Sequence, residues 1–329
     1  NQIKIYGREV PNPLIESNFV GIKKPMFFSS KNIHLAKCMC KHIISNGLEE
    51  NIIEMHNRPY LFHYIKDKLP SVPICIFFHN NPQEMRGSKT IKERYFLLQN
   101  AKLIFCVSNY IKKKFIHGLV NNEINNKVKV LYNGVNRTAK TFPIKKKEIL
   151  FVGRIVKEKG IELYVNAVEN LSKRYPKWKF TIVGSTYLGS YNKDSKFAKI
   201  QISKFHKLSS QTHITGFVPP KKVDQIMKKA SLIVIPSIWD EPYGLVASEA
   251  MANGLAIIAS KVGGLPEIIN NNGILIEDIT VCKLTKIIEK FILDENYLNK
   301  YQNLSWDNFE HSAKKSSRLL DNFRRKLMM

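Results

Sequence analysis

Short apolar runs of strand length alternate with stretches of helical character along almost the whole chain, and that alternation commits it to parallel sheets wound with helices, an α/β protein. In the first half the runs are IIEM (52–55), VPICIFFH (72–79), KLIFCV (102–107) and VKVLY (128–132). In the second half they are EILFV (148–152), KFTIV (179–183), SLIVI (231–235), LAIIA (255–259) and ILI (274–276). A strand buried on both faces reads as continuous apolar residues with no polar alternation, as VPICIFF and SLIVI do. Between the halves, NRTAKTFPIKKK (136–147) is polar, basic and holds one proline, so it reads as the linker. From 305 to 327 the apolar spacing through Trp306, Phe309, Ala313, Leu319, Leu320 and Phe323 predicts one terminal helix.

At 329 residues the chain is long enough for two domains, each with its own core. No apolar stretch approaches the roughly 20 residues that a bilayer-crossing helix needs, and no signal peptide is legible, so a cytoplasmic protein is expected. Five cysteines, with only Cys38 and Cys40 close together, form no disulfide framework and lack the paired spacing of a zinc site. They read as buried thiols in a reducing compartment. The net charge is +25, with 25 basic and 9 acidic residues (+16) in 1–147 and +9 in the remainder. A basic first half fits an acidic partner, whether an anionic membrane, a phosphorylated glycolipid or nucleic acid. It fits equally a chain whose Lys-, Asn- and Ile-rich composition has drifted without any partner. No aromatic-interleaved RNA motif or recognition-helix pattern accompanies the charge, so nucleic acid is not the expected partner.

The segment that says most about chemistry is SLIVIPSIWDEPYGLVASEAMANG (231–254). Pro236 ends the strand, so the loop after it lies beyond a strand's carboxyl end, where open α/β sheets bind ligands. LVASEAMA holds good helix formers, so Glu241 falls in the loop and Glu249 on the helix, a little over one turn in. Unpaired amides near Gly244 and Leu245 at that helix start offer an anion site between the two carboxylates. Arg154 and Lys159 in GRIVKEKG come after the strand EILFV and precede a helix beginning near Gly160. The segment is not a Walker loop, since GxxxxGK[ST] is absent. No DxD cluster is present to hold a metal on a diphosphate. His79 ends an apolar strand and opens HNNP.

Several motifs in order resemble the family 4 retaining glycosyltransferases: FVGRIVKEKGIELYVNAV (151–168), FTIVGS (180–185), ITGFVP (214–219), IPSIWDEPYGLVASEAMANG (235–254) and GGLPEII (263–269). The first half is similar more thinly, through IIEMHNRP (52–59), FFHNNP (77–82), CVSNYIKKKF (106–115) and VLYNGVN (130–136). The bacterial members that build lipopolysaccharide or other surface glycans are the most similar, including relatives of spore-coat glycosyltransferases with a similar HNRP segment.

The resemblance implies a GT-B fold, two Rossmann-like doubly wound domains facing across a cleft. Residues 1–140 would form the acceptor-side domain, 141–304 the nucleotide-sugar domain, and 305–329 a helix crossing back to the first domain. It further implies a hexose moved from a nucleotide-diphosphate sugar to a glycan or glycolipid acceptor with retention, without metal or other cofactor, and peripheral to the inner face of the cytoplasmic membrane. Arg154 and Lys159 match the pair that holds the diphosphate, with Gly153 beside them. Glu249 matches the ribose contact, Glu241 the position near the transferred sugar, and Val218 the base pocket. Pro242, Tyr243, Gly244 and Leu245 match the turn whose backbone amides reach the sugar and distal phosphate. His79 matches a contact to the donor sugar, and His56 falls on the acceptor side. Catalytic roles are thus expected of His79, Arg154, Lys159 and Glu241, with the leaving phosphate helping to deprotonate the acceptor. The chain departs from the family at its front. No Gly-Gly loop precedes IIEMHNRP and Gly21 stands alone, so the first strand and its loop are expected to be missing and a non-catalytic scaffold stays open as an alternative.

Overall fold

The structure is a computed structural model and describes residues 3–10, 18–25, 30–48, 51–120, 124–186 and 195–328. It divides into two compact units. The first comprises 1–107, 111–130 and 324–329, and the second 108–110 and 131–323. The division falls at 130/131, upstream of the linker read at 136–147 and of the 140/141 boundary that the resemblance implies.

In the first unit, β1 (Ile5–Arg8) and β2 (Phe19–Ile22) pair with each other in parallel. A second parallel sheet runs in sequence order through β3 (Ile53–His56), β4 (Ile74–Phe78), β5 (Leu103–Cys106) and β6 (Val128–Val130). All five residues of β4 are buried, as its unbroken apolar run requires. Both strands before β3 escaped sequence reading because each spans four half-exposed residues.

The second unit is built on a six-stranded parallel sheet. Its strands are β7 (Lys146–Val152), β8 (Lys179–Val183), β9 (Thr212–Ile214), β10 (Ala230–Ile235), β11 (Ala256–Ser260) and β12 (Ile274–Ile276). They lie in the order β12-β11-β10-β7-β8-β9. The helix Ile161–Leu171 buries Ile161, Tyr164, Val165, Ala167, Val168 and Leu171, a stripe at helical spacing that packs with Phe151, Phe180 and Phe205 in the core. β9 was missed because its three residues are short and not fully buried.

The single terminal helix expected from apolar spacing is two helices, Glu295–Asp307 and Ala313–Met328. Between them the backbone around Ser312 bridges Val135 in parallel, and Val135 bonds His311 O and Ala313 N. Arg137 lies 3.9 Å from the Trp306 ring centre and 4.9 Å from that of Phe309, and donates to the Trp306 carbonyl. Trp306, at the end of the first helix, and Phe309, in the break after it, therefore hold an arginine and do not form one continuous helix face. The thiols divide as well: Cys40, Cys75 and Cys106 are buried, Cys38 is half-buried and Cys282 exposed, so the expectation of five buried cysteines is corrected for Cys38 and Cys282. Among the described residues no helix is long and apolar enough to cross a membrane.

Candidate functional site

The strand order of the second unit places its reversal between β7 and β10, since the chain winds outward from β7 through β8 and β9, then returns to β10 on the other side. A crevice forms outside the carboxyl ends at such a reversal. The loops that open there carry Gly153 to Gly160 after β7 and Pro236 to Gly244 after β10.

Glycines set the loop after β7. Gly153 (φ +153°) donates to the Val183 carbonyl at 3.0 Å, and Gly184 donates to Gly216 at 3.1 Å. A Cβ on Gly184 would lie 2.1 Å from the Gly153 oxygen. Side-chain-free residues therefore let the ends of β7, β8 and β9 close on one another. Arg154 projects exposed from this edge with no side-chain hydrogen bond among the described residues. A short turn at Lys157–Lys159 ends on Gly160 (φ +66°), where a Cβ would meet the Pro236 oxygen at 1.8 Å. That contact seats Lys159 beside the loop after β10.

The consequence is an ion pair. Glu241, 8% exposed, accepts from Lys159 Nζ at 2.5 Å and from Ser237 Oγ at 2.7 Å, both on Oε1. Among the described residues no donor reaches Oε2. Trp239 packs its ring 5.6 Å from Lys159 Nζ, and its buried indole N–H has no partner among the described residues. Two further glycines fix the carboxylate's backbone: Gly264 N–H donates to the Glu241 carbonyl at 2.7 Å, and a Cβ on Gly263 (φ +57°) would lie 2.2 Å from the same oxygen. Neither Ser237 nor this glycine pair was assigned a role from sequence, although they lie within the motifs at 235–254 and 263–269.

The turn 242–245 also differs from expectation. Pro242 has no N–H to offer, and its carbonyl accepts from Ser108 Oγ at 2.5 Å. The Tyr243 hydroxyl donates to the Asn133 carbonyl at 2.7 Å and accepts from Ser248 Oγ at 2.9 Å, so this side chain anchors the turn. Gly244 adopts φ +103°, and a Cβ there would meet Leu265 at 2.6 Å. Backbone conformation and packing demand this glycine directly. Leu245 begins the helix Leu245–Ala252, which has no side-chain cap among the described residues, so its first amides remain available to an anion.

Glu249 is half-buried on that helix, and its carboxylate receives no hydrogen bond among the described residues, while its backbone carbonyl accepts from Asn253. Loss of water pushes its carboxyl up to about 7, helped by the negative charge of Asp224. Asp224 is itself held by Thr138 (2.8 Å), Asn253 (3.1 Å) and Lys228 (2.8 Å). Below it Lys145 donates to the Asn253 carbonyl at 2.6 Å, and burial lowers this amine to about 7. Val218 is half-buried in the turn between β9 and the helix Pro220–Lys229.

In the first unit the two sequence-selected histidines meet. His56 ends β3 and His79 comes directly after β4, so parallel pairing brings both to the carboxyl edge of the sheet. His56 Nδ1 lies 2.9 Å from His79 Nε2, with ring centres 5.2 Å apart and planes at 15°. The His79 amide donates to Asn57 Oδ1 at 2.8 Å, with Asn57 at φ +52°. Burial, and then the neighbouring His56, lower His79 to about 4. Burial lowers His56 as well, with Glu54 and Arg324 acting in opposite directions. Those two form a fork of Nε–Oε1 and Nη2–Oε2 bonds, each 2.7 Å. The signal for the pair was present in sequence, as EMH and FFH both end apolar runs, but only strand adjacency shows that they touch. Among the described residues no group of three His, Cys, Asp or Glu side chains could hold a metal ion.

A family model described as glycosyl transferases group 1 matches residues 135–305. An uncharacterized glycosyltransferase of Methanocaldococcus jannaschii is 33% identical over 209 residues, covering 55% of this chain and 51% of its own. Spore coat protein SA of Bacillus subtilis is 28% identical over 277 residues, covering 75% and 70%. The chain thus spans about half the length of the archaeal relative. The crystal structure of Anabaena HepE in complex with UDP and glucose superposes with a TM-score of 0.73 at 17% identity, covering 93% of this chain and 85% of that one. That likeness gives the fold: two parallel-sheet domains of the GT-B kind.

Proposed function

Because the chain belongs to the glycosyl transferases group 1 family, we infer that it moves a hexose from a nucleotide-diphosphate sugar to a glycan or glycolipid acceptor. The observation that carries this reading is the Lys159–Glu241–Ser237 cluster at the sheet's reversal point. A nucleotide-sugar donor brings a doubly charged diphosphate, and the leaving group gains charge as the glycosidic bond breaks. Arg154 can fork onto two phosphate oxygens, Lys159 adds a point charge, and the uncapped helix start at Leu245 adds amide dipoles.

The cluster also gives Glu241 a position suited to a sugar. Lys159 and Ser237 occupy Oε1, which leaves Oε2 to accept from a hexose hydroxyl. Glu249, ionised, can accept from both ribose hydroxyls. Val218 and its neighbours would read the base through backbone groups. His79 is assigned to a hydroxyl of the hexose. No carboxylate nucleophile is invoked: retention would come from a front-face reaction in which the leaving phosphate takes the acceptor's proton.

UDP is the first nucleotide to try, since the structurally similar HepE was crystallised with it. Similarity to a spore coat protein and the excess of basic residues in the first 147 positions favour a surface-glycan acceptor, lipopolysaccharide among them, carried on a lipid at an anionic inner leaflet. Titration calorimetry with UDP, GDP and ADP on this chain and on Glu249→Ala tests the donor site. One nucleotide should bind the parent and lose at least about tenfold in affinity with the variant, the equivalent of one charge-assisted bond. Equal binding by both proteins would end the assignment of Glu249. Sedimentation with anionic vesicles at low and high salt tests the membrane, and no low-salt binding would remove it from the reading.

A further inference from the structure

His56, exposed on its outer side, and His79, half-buried, lie at the carboxyl edge of one sheet, with Nδ1 of the first 2.9 Å from Nε2 of the second. A neutral imidazole carries one donor and one acceptor nitrogen, so a single hydrogen lies between them and decides what each ring offers elsewhere. If that hydrogen belongs to His79 Nε2, then His79 Nδ1 is a bare acceptor, and the hydrogen of His56 sits on its own Nε2. If it belongs to His56 Nδ1, both rings are in the Nδ1–H form and His79 offers a donor.

We propose that His56 is a positioning residue that holds His79 as the Nε2–H tautomer, so that His79 Nδ1 takes a hydroxyl group and rejects a phosphate or carboxylate oxygen. The Nε2–H form is the lower-energy tautomer of a neutral histidine side chain, and only the first arrangement places both rings in it. Double protonation of the pair is also opposed. Two imidazolium rings have no acceptor to share, and burial opposes a charge on either one. Three contacts fix the geometry independently of the shared hydrogen. His56 stacks on Phe77 at 4.4 Å, the His79 amide is bound by Asn57 Oδ1, and the Glu54–Arg324 fork occupies the nearest charges facing His56. A bare imidazole nitrogen recognises a hydrogen-bond donor, and the donor groups that a sugar carries are its hydroxyls. The contact to a hexose rests on the function proposed above; the tautomer does not.

Nitrogen-15 NMR of the histidine-labelled chain without ligand reads the tautomer directly. His79 should show a protonated Nε2 and an unprotonated Nδ1 at pH 7. In His56→Phe, which keeps the stacking on Phe77 and removes the acceptor, His79 should become a mixture of tautomers. In His56→Asn, whose side-chain oxygen can stand where Nδ1 stands, the parent tautomer should return. A protonated Nδ1 in the parent, or an unchanged His79 spectrum in His56→Phe, overturns the proposal. UDP-glucose turnover supplies the second readout: His56→Phe should lose about tenfold in kcat at nearly constant KM, and His56→Asn should recover most of it. Equal kcat in parent and His56→Phe overturns the positioning role even where the tautomer is as stated. A parent that binds no UDP at all speaks against the donor reading alone, because the ligand-free tautomer is measured without it.

Discussion

The loop cluster after β10 and the histidine pair after β4 occupy equivalent places, each beyond the carboxyl end of a buried parallel strand, yet they are made stable in opposite ways. Glu241 is charged, almost fully buried, and positioned by backbone that passes within van der Waals distance of Gly160, Gly263 and Gly264. The histidines are shifted toward the neutral form by loss of water and are held by stacked rings and side-chain bonds. A buried charge is tolerated only with its partners in place, so the first region needs a rigid frame. A neutral pair needs only its neighbours' shapes. Substitutions should therefore threaten folding as well as chemistry in the first region, and chemistry alone in the second.

The sharpest break of that contrast is Gly263→Ala. Its φ of +57° and a Cβ 2.2 Å from the Glu241 oxygen leave no relaxed conformation. A loss on the order of 4 kcal/mol is expected in urea unfolding, the upper range for one substitution. Gly216→Ala serves as the control. Its φ is similar at +67° but nothing among the described residues lies within 4 Å of the added carbon, so the cost should be only about 1 kcal/mol. Equal costs at the two sites would show that close backbone approach does not frame Glu241.

Next in size is Lys159→Met, which keeps the packing against Trp239 and removes the charge. Glu241 would then keep only Ser237 on Oε1, and the proposed diphosphate contact would be lost. Sugar turnover should fall by about 10²–10³, as when one preorganised donor to developing charge is removed. Steady-state kinetics with saturating acceptor would show it. A loss below tenfold would mean that the ion pair serves the fold alone.

Glu249 adds a pH dependence of its own. Its folded value of about 7 lies above the ordinary 4.5. The group's stabilising contribution is therefore complete below about 4.5 and is lost as pH rises through 7, costing the ligand-free protein about 3 kcal/mol at pH 8 as an upper bound. The ribose contact proposed for Glu249 requires the ionised form, so on that proposal UDP affinity should rise roughly tenfold between pH 6 and 8. Glu249→Gln should remove that slope, weaken UDP and raise the melting temperature at pH 8. His79, pushed down to about 4, has no transition in this interval. A flat affinity profile in the parent would detach Glu249 from the nucleotide.

Much of the fold was legible in the amino-acid sequence for a physical reason. Apolar runs announced β4, β5, β7, β8, β10 and β11, and even the short β3, β6 and β12, while β9 (THI) and β1 (IYGR) mix polar residues into incompletely buried positions and present no apolar run. Glu241 and Glu249 stood out by their place after an apolar strand and on the helix that follows it, whereas Arg154 and Lys159, in a loop that also carries Lys157 and Glu158, were selected by the resemblance of the motif. What sequence could not give is who touches whom. Ser237 is an ordinary serine until β10 ends one residue before Pro236 and turns its hydroxyl onto Glu241. His56 acquires meaning only when β3 and β4 are neighbours. The aromatic spacing of Trp306 and Phe309 misled because an arginine from position 137, distant in sequence, claims both rings.

Ser237→Ala is the smallest expected effect and the finest probe of how the charged region works. Ser237 Oγ and Lys159 Nζ share Oε1, so removing the hydroxyl leaves the ion pair intact and takes away one neutral-to-charged bond at a buried site. Stability should fall by about 1 kcal/mol. The kinetic consequence separates two ways of holding a carboxylate. If Lys159 alone orients Glu241, kcat stays near the parent value. If two donors are needed to fix Oε1 so that Oε2 faces the hexose, kcat falls about fivefold while UDP affinity is unchanged, because the nucleotide is gripped elsewhere. The second outcome is the one the geometry favours, since a single lysine bond leaves the carboxylate free to rotate and a second donor on the same oxygen does not. A drop in UDP affinity equal to the drop in kcat would instead place Glu241 on the nucleotide, and the division of labour between the two glutamates would have to be redrawn.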